Sequence, residues 1–272
     1  MRESTVVIRG TGVVAGHDMA LHGIHPHGVL RGCDDDALKG HIGKRGIRYK
    51  DRATRLALAA AKLAMRQAGL APNGYQDLDD ASCAVIVASS FGNVDTILRC
   101  AGQIAEADST VLSPMDLPNA SANVIAATLA IWFGLRGPNL LVANGARSGE
   151  DALLFASNMI RTGAVQRVLV CGVEAAQPLL DPLFAKAGQA GQEPVDIGAA
   201  VVLERATASA GVSLACAPGQ MSLHSATGRS MDPASSPFSG SAGWLRAHGA
   251  AGILAVISAH DQLMAGAQQE AA

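Results

Sequence analysis

The six residues from Asn144 to Gly149, NGARSG, lie between two apolar runs and have the small side chains that a sharp strand-to-helix turn needs. Such a turn presents one side chain at a helix N-terminus. There, unpaired N–H groups and the helix dipole stabilise an anion, an arrangement enzymes use to expose a nucleophile. The residue presented here is Ala146, whose methyl group can neither attack nor accept a transferred group. Ser148 is placed to cap the helix, and Glu150 and Asp151 complement its positive end.

Other groups with chemical potential are scattered. Cys33, Cys83, Cys100, Cys171 and Cys216 follow no metal or disulfide spacing, and two of them fall in expected buried strands, which fits reduced thiols. His17, His22, His25 and His27 crowd one stretch, but no cysteine or carboxylate stands at a ligand spacing beside them. A solvated loop is preferred to a metal site, and no metal or cofactor is called for. Gly10-Thr11-Gly12 alone is a weak nucleotide-binding signal, read here as a tight strand exit into a loop.

The elements around the turn follow from patterning. Leu140 to Ala143 is a short apolar run, suited to a strand covered on both faces, and Val168 to Cys171 is a second. Between them Leu153, Ala156, Ser157 and Ile160 share a helical face that stops at Arg161 and Gly163. Upstream, Thr5 to Ile8 reads as a strand, Asp51 to Gly69 as a helix and Cys83 to Ala88 as a buried strand, which makes a βαβ unit with a parallel sheet. A helix to about Ala105 comes next. Pro114 and Pro118 then forbid a long helix, and Ala120 to Phe133 forms an Ala-rich one. Ile197 to Glu204 restores a strand. Ala215 to Gly243 shows no regular period, and a last helix runs from about Gly249 to Met264. The fold class is α/β.

Composition bounds the function. In 272 residues, 49% are hydrophobic and only 3% aromatic, enough for a core of closely packed helices on a sheet. A net charge of −2 from 21 basic and 23 acidic residues gives no electrostatic reason to expect nucleic acid or an anionic membrane. No signal peptide and no apolar segment of bilayer length is expected, so the location expected is cytoplasmic.

Several blocks in order resemble the β-ketoacyl synthase family of the thiolase superfamily. They are VVIRGTGVVAG at the start, KRGIRYKDRATRLALAAAKLAMRQAGL, SPMDLPNASANVIAATLAIWFGLRGP before the turn, and VLVCGVEA and GAAVVLERA after it. The resemblance runs from about Thr5 to Ala206. It implies a layered αβαβα thiolase-like fold, with residues 1–206 as a nearly complete N-terminal half and 207–272 as an abbreviated remnant of the C-terminal half. In that family the turn carries a cysteine that accepts an acyl chain, and the position falls on Ala146. The ending SAGWLRAHGAAGILAVISAHDQL resembles the family's terminal block, which puts Arg246 at a histidine position and Ser241 at the lysine position. HSATGRSMDP would place His224 at the other histidine, but it follows the preceding strand too closely, and a chance match is preferred.

The resemblance therefore implies a non-catalytic subunit similar to the chain-length factors, which pair with an active ketosynthase in type II polyketide or polyene assembly and serve an acyl carrier protein through the complex. Leu140, Leu141, Val142, Ala143 and Asn144 would meet the partner's strand, and Val111, Leu112, Met115, Leu117 and Asn119 would reach toward its tunnel. Arg147 would fill the former pocket or pair across the interface. Half a layered core is expected to leave apolar surface for that partner to cover. Two alternatives stay open: a cysteine-independent decarboxylase or acyl-transfer enzyme using His224, and a scaffold or carrier-protein-binding module.

Overall fold

A computed structural model describes residues 5–17, 19–21, 23–25, 28–43, 46–70, 78–107, 109–206, 211–236, 239 and 246–270. Its centre is one mixed sheet of nine strands: β1 (Thr5–Ala15), β2 (Val29–Arg31), β3 (Cys83–Ala88), β4 (Asn139–Val142), β5 (Arg167–Glu174), β6 (Ile197–Ala206), β7 (Ser213–Ala217), β8 (Gln220–His224) and β9 (Ser230–Met231). The order is β4-β3-β5-β6-β1-β7-β8-β9, with β2 beside β1. Strands β3, β4 and β5 are parallel, and β6 runs antiparallel to both of its neighbours, β5 and β1.

The apolar runs are continuous because both faces of the sheet are covered. Ala84, Ile86 and Ala88 of β3 and Val168 and Val170 of β5 face the layer holding α6 (Ser148–Thr162) and α8 (Ala251–Glu270). Val85, Val87, Leu169 and Cys171 face α2 (Arg52–Gln67) and α5 (Val124–Phe133). Helix α2 starts at Asp51, whose carboxylate accepts from the Thr54 amide at 2.7 Å, and buries an almost unbroken alanine-rich face. Shorter helices α1 (Asp35–Ile42), α3 (Val94–Glu106), α4 (Asp116–Asn119) and α7 (Asp181–Lys186) complete the fold.

Several expectations are corrected. Strand β1 does not leave the sheet at the glycines but continues to Ala15. A Cβ on Gly10 or Gly12 would strike the carbonyl oxygens of Ala64 or Ala60, so these glycines seat α2 directly on the strand. Among the described residues strand β4 is an edge strand paired only with β3, and Leu140 is 42% exposed, so the run is not covered on both faces. Helix α5 begins at Val124 rather than Ala120.

Residues expected to be irregular form the hairpin β7–β8, in which Ala217 pairs with Gln220 across Pro218 and Gly219. Gly219 has φ +73°, which suits the third position of a type II turn behind proline. Leu214 and Leu223 of that hairpin join the same core as α6 and α8, so the chain beyond 206 adds to the first sheet. Helix α8 touches β5 and β6 in the middle of the sheet and β8 and β9 at its far side. Contrary to expectation, one stretch, His248–Gln268, is long and apolar enough to cross a bilayer; 72% of its most apolar window is buried inside the fold.

Candidate functional site

The turn after β4 forms as the small residues dictate. Gly145 takes φ +59°, residues Gly145–Arg147 make one 3-10 turn, and α6 begins at Ser148. Ser148 does not cap the helix as expected. Its hydroxyl accepts from the Asn144 amide at 2.7 Å and donates to the Gly145 carbonyl at 2.7 Å, which locks the turn from inside. The Asn144 side-chain amide donates to Asp151 at 2.6 Å. Ala146 stands exposed at the tip, with nothing but a methyl group to offer.

Behind the tip, the first turns of α6 and α8 meet glycine to glycine. A Cβ on Gly149 would lie 2.9 Å from the Gly249 carbonyl oxygen and 3.2 Å from the Gly252 Cα, and one on Gly252 would lie 2.9 Å from the Glu150 nitrogen. This close approach explains the small-residue run Gly249-Ala250-Ala251-Gly252 that marks the terminal block.

A carboxylate that patterning missed holds the same junction. Glu174 ends β5 fully buried and accepts from the Ser90 amide at 2.5 Å, the Gly249 amide at 3.1 Å, the Phe91 amide at 3.3 Å and the Ser89 hydroxyl at 3.2 Å. Burial pushes its pKa up to about 7, and the four hydrogen bonds oppose that rise. Next to it Phe91, Phe184 and His248 pack edge to face, with ring centroids 5.2 to 5.8 Å apart. His248 has φ +40°, a conformation a non-glycine residue holds only when its surroundings fix it. The ring nitrogen Nε2 donates to the Gln192 carbonyl at 2.8 Å, and burial holds the imidazole pKa below its usual value. The only sequence signal for this node was an acid closing an otherwise apolar strand.

Two of the three downstream residues matched to catalytic positions are described. Arg246 is half-buried, and its Nε donates to the Glu193 carbonyl at 3.1 Å. His224 is exposed on β8, its Nε2 2.9 Å from the Ser222 hydroxyl, and none of its hydrogen bonds reaches the turn. Ser241 lies outside the described residues. Cys83, Cys171 and Cys216 are buried, with thiol pKa values pushed up to about 12 by desolvation. Of the crowded histidines, His22 and His27 lie outside the described residues, and no metal-ligating group of three His, Cys, Asp or Glu occurs among the described ones.

The interface candidates are mostly exposed. Val111, Met115, Leu117 and Leu140 are 42 to 56% exposed, while Leu112 is half-buried. In β4, Leu141 and Val142 are half-buried, and Ala143 and Asn144 follow exposed. Asn119 instead points inward: its amide donates to the Tyr49 carbonyl at 2.6 Å and the Met115 carbonyl at 2.9 Å. Arg147 is exposed. It lies 3.8 Å from Glu150 on the rim of a cavity of about 300 Å³.

A mixed sheet with β6 antiparallel to its neighbours, helices on both faces and a strand-turn-helix at α6 define a thiolase-like ketosynthase fold. Residues 30–191 match the family model for the β-ketoacyl synthase N-terminal domain, and the chain belongs to that family. It is 27% identical over 149 residues to the chloroplastic 3-oxoacyl-[acyl-carrier-protein] synthase I of Arabidopsis thaliana, a match that takes in 55% of this chain and 31% of that protein. The chain thus spans about a third of the length of such curated relatives. Among solved structures it is similar to the ishigamide ketosynthase/chain length factor, with a TM-score of 0.58 and 21% identity over 77% of this chain and 65% of that one. A second is a type II polyketide synthase acyl-carrier protein in complex with its ketosynthase, AntDE:AntF, with a TM-score of 0.56 and 19% identity over 75% of this chain and 59% of that one.

Proposed function

We propose that this chain is a non-catalytic, chain-length-factor-like subunit that pairs with an active ketosynthase in the cytosol and shapes its acyl-chain tunnel. The observation that carries this reading is the tip of the turn. A β-ketoacyl condensation needs a covalent acyl acceptor, and the fold is kept here around Ala146, which has no atom to accept one. The edge strand supports pairing. Among the described residues β4 has a β-strand neighbour on one side only, and it exposes Leu140, which leaves its other edge for a strand from the partner. Val111, Met115 and Leu117 add exposed apolar area on the segment before α5. Similarity in fold to a ketosynthase/chain length factor and to a ketosynthase with its acyl-carrier protein supports a ketosynthase as the partner, and the carrier would be met through the complex.

Co-expression with the ketosynthase encoded beside it tests the reading. A stable one-to-one complex is expected, whose product length changes when Met115 or Leu117 is replaced. A soluble monomer that decarboxylates malonyl carrier protein, and loses that activity in His224→Ala, would overturn it.

A further inference from the structure

A cavity of about 300 Å³ lies immediately beyond the empty turn, and the pairing role makes no use of it. Its walls come from four elements: the first turns of α6, the start of α8, the β7–β8 turn, and the 3-10 turn Pro233–Ser235. The floor is apolar. Leu154 and Met221 pack against the core there, beside Ala255. The rim carries Glu150, Asp151 and Asp232 against the single guanidinium of Arg147.

The sign of the rim decides what it attracts. The N-termini of α6 and α8 contribute roughly half a positive charge each and Arg147 one more, about two in all, which falls short of three carboxylates. Asp151 accepts from the Asn144 amide and Asp232 from the Ala234 amide, each through one oxygen; Asp151 is half-buried and Asp232 exposed. Arg147 and Glu150 are 3.8 Å apart and both well exposed, too loosely paired to cancel the field. An apolar floor under a net-negative rim suits a molecule with a short hydrocarbon body and a cationic head.

We propose that this cavity binds a small aliphatic primary amine, its alkyl chain on Leu154 and Met221 and its ammonium group between Asp151 and Asp232. Saturation-transfer NMR of the full chain at pH 7 with n-hexylamine, hexanoate and n-hexanol tests this. Saturable binding of hexylamine, stronger than that of either analogue, is expected. The paired substitution Asp151→Asn and Asp232→Asn keeps both acceptors for their internal hydrogen bonds and should weaken hexylamine about tenfold, as removal of two exposed ion pairs implies. Ala217→Trp, at an exposed position on the rim, should abolish binding by filling the space, with the melting temperature as control for folding. The proposal is overturned if hexylamine does not bind, if hexanoate or hexanol binds as tightly, or if the paired Asn variant binds hexylamine unchanged.

Discussion

The Gly249 amide donates a 3.1 Å hydrogen bond to the fully buried carboxylate of Glu174, which ties the approach to α8 to the end of the central strand β5. The same carboxylate also receives the Ser90 and Phe91 amides and the Ser89 hydroxyl, so one side chain fastens three segments. Burial raises its pKa from 4.5 to about 7, so the folded state holds this proton across a range in which the unfolded chain has lost it. The contribution to stability is therefore full below about pH 4.5 and is lost as the pH rises through 7. Urea unfolding of the wild type and Glu174→Gln at pH 5 and pH 8 should show the wild type's margin over the variant shrinking toward pH 8. A margin that stays constant or grows with pH would show that Glu174 is not held this way.

Gly149 and Gly252 set how closely the two central helices cross. Gly149→Ala would place a methyl group 2.9 Å from the Gly249 carbonyl oxygen, against backbone that has no rotamer with which to move aside. Overpacking of this kind costs about 1–3 kcal/mol, despite alanine's better helix propensity. Chemical denaturation should show that loss. Gly102→Ala, with nothing within 4 Å of the added methyl group, should be neutral or stabilising.

The sheet's central strands were legible because burial on both faces forces unbroken apolar runs such as CAVIVA and RVLVCGVE. The hairpin β7–β8 was not, since Ser213 to Ala217 and Gln220 to His224 are built largely from small or polar residues with little strand preference. Its one signal was Pro218-Gly219, a turn dipeptide in a region dense with such residues. The turn at Ala146 could be read from its small residues, but the role of Ser148 could not, because capping and locking the turn call for the same hydroxyl at the same position. Glu174 needed the fold: its four partners come from the segment just after β3 and from the approach to α8, far away in sequence.

Restoring a thiol at the tip separates reactivity from catalysis. Ala146→Cys would set an exposed sulfur at the N-terminus of the 15-residue helix α6 beside Arg147, both of which favour the thiolate. Iodoacetamide should label it well before the five native cysteines, all of which are buried. Condensation of malonyl carrier protein should remain undetectable, because the guanidinium of Arg246 cannot serve as a base and His224 is engaged with Ser222 on β8. Mass spectrometry of the labelled protein and a condensation assay read the two outcomes, and measurable condensation would show that the thiol is the one group the site lacks.

Leu140→Asp tests the edge of the sheet. Leu140 is 42% exposed on β4, which among the described residues pairs with β3 alone, so a carboxylate there reaches water in the isolated chain and costs little stability. In a sheet continued by a partner's strand that now packs on a leucine, the same carboxylate would be desolvated, and an unpaired buried charge is among the most damaging changes an interface can carry. The variant should therefore melt close to the wild type yet fail to co-purify with the ketosynthase. Thr227→Asp, at an exposed position in the turn between β8 and β9 at the opposite end of the sheet, should leave the complex intact. Size-exclusion chromatography of the co-expressed pair distinguishes these outcomes, and an unimpaired complex with Leu140→Asp would place the partner elsewhere on the molecule.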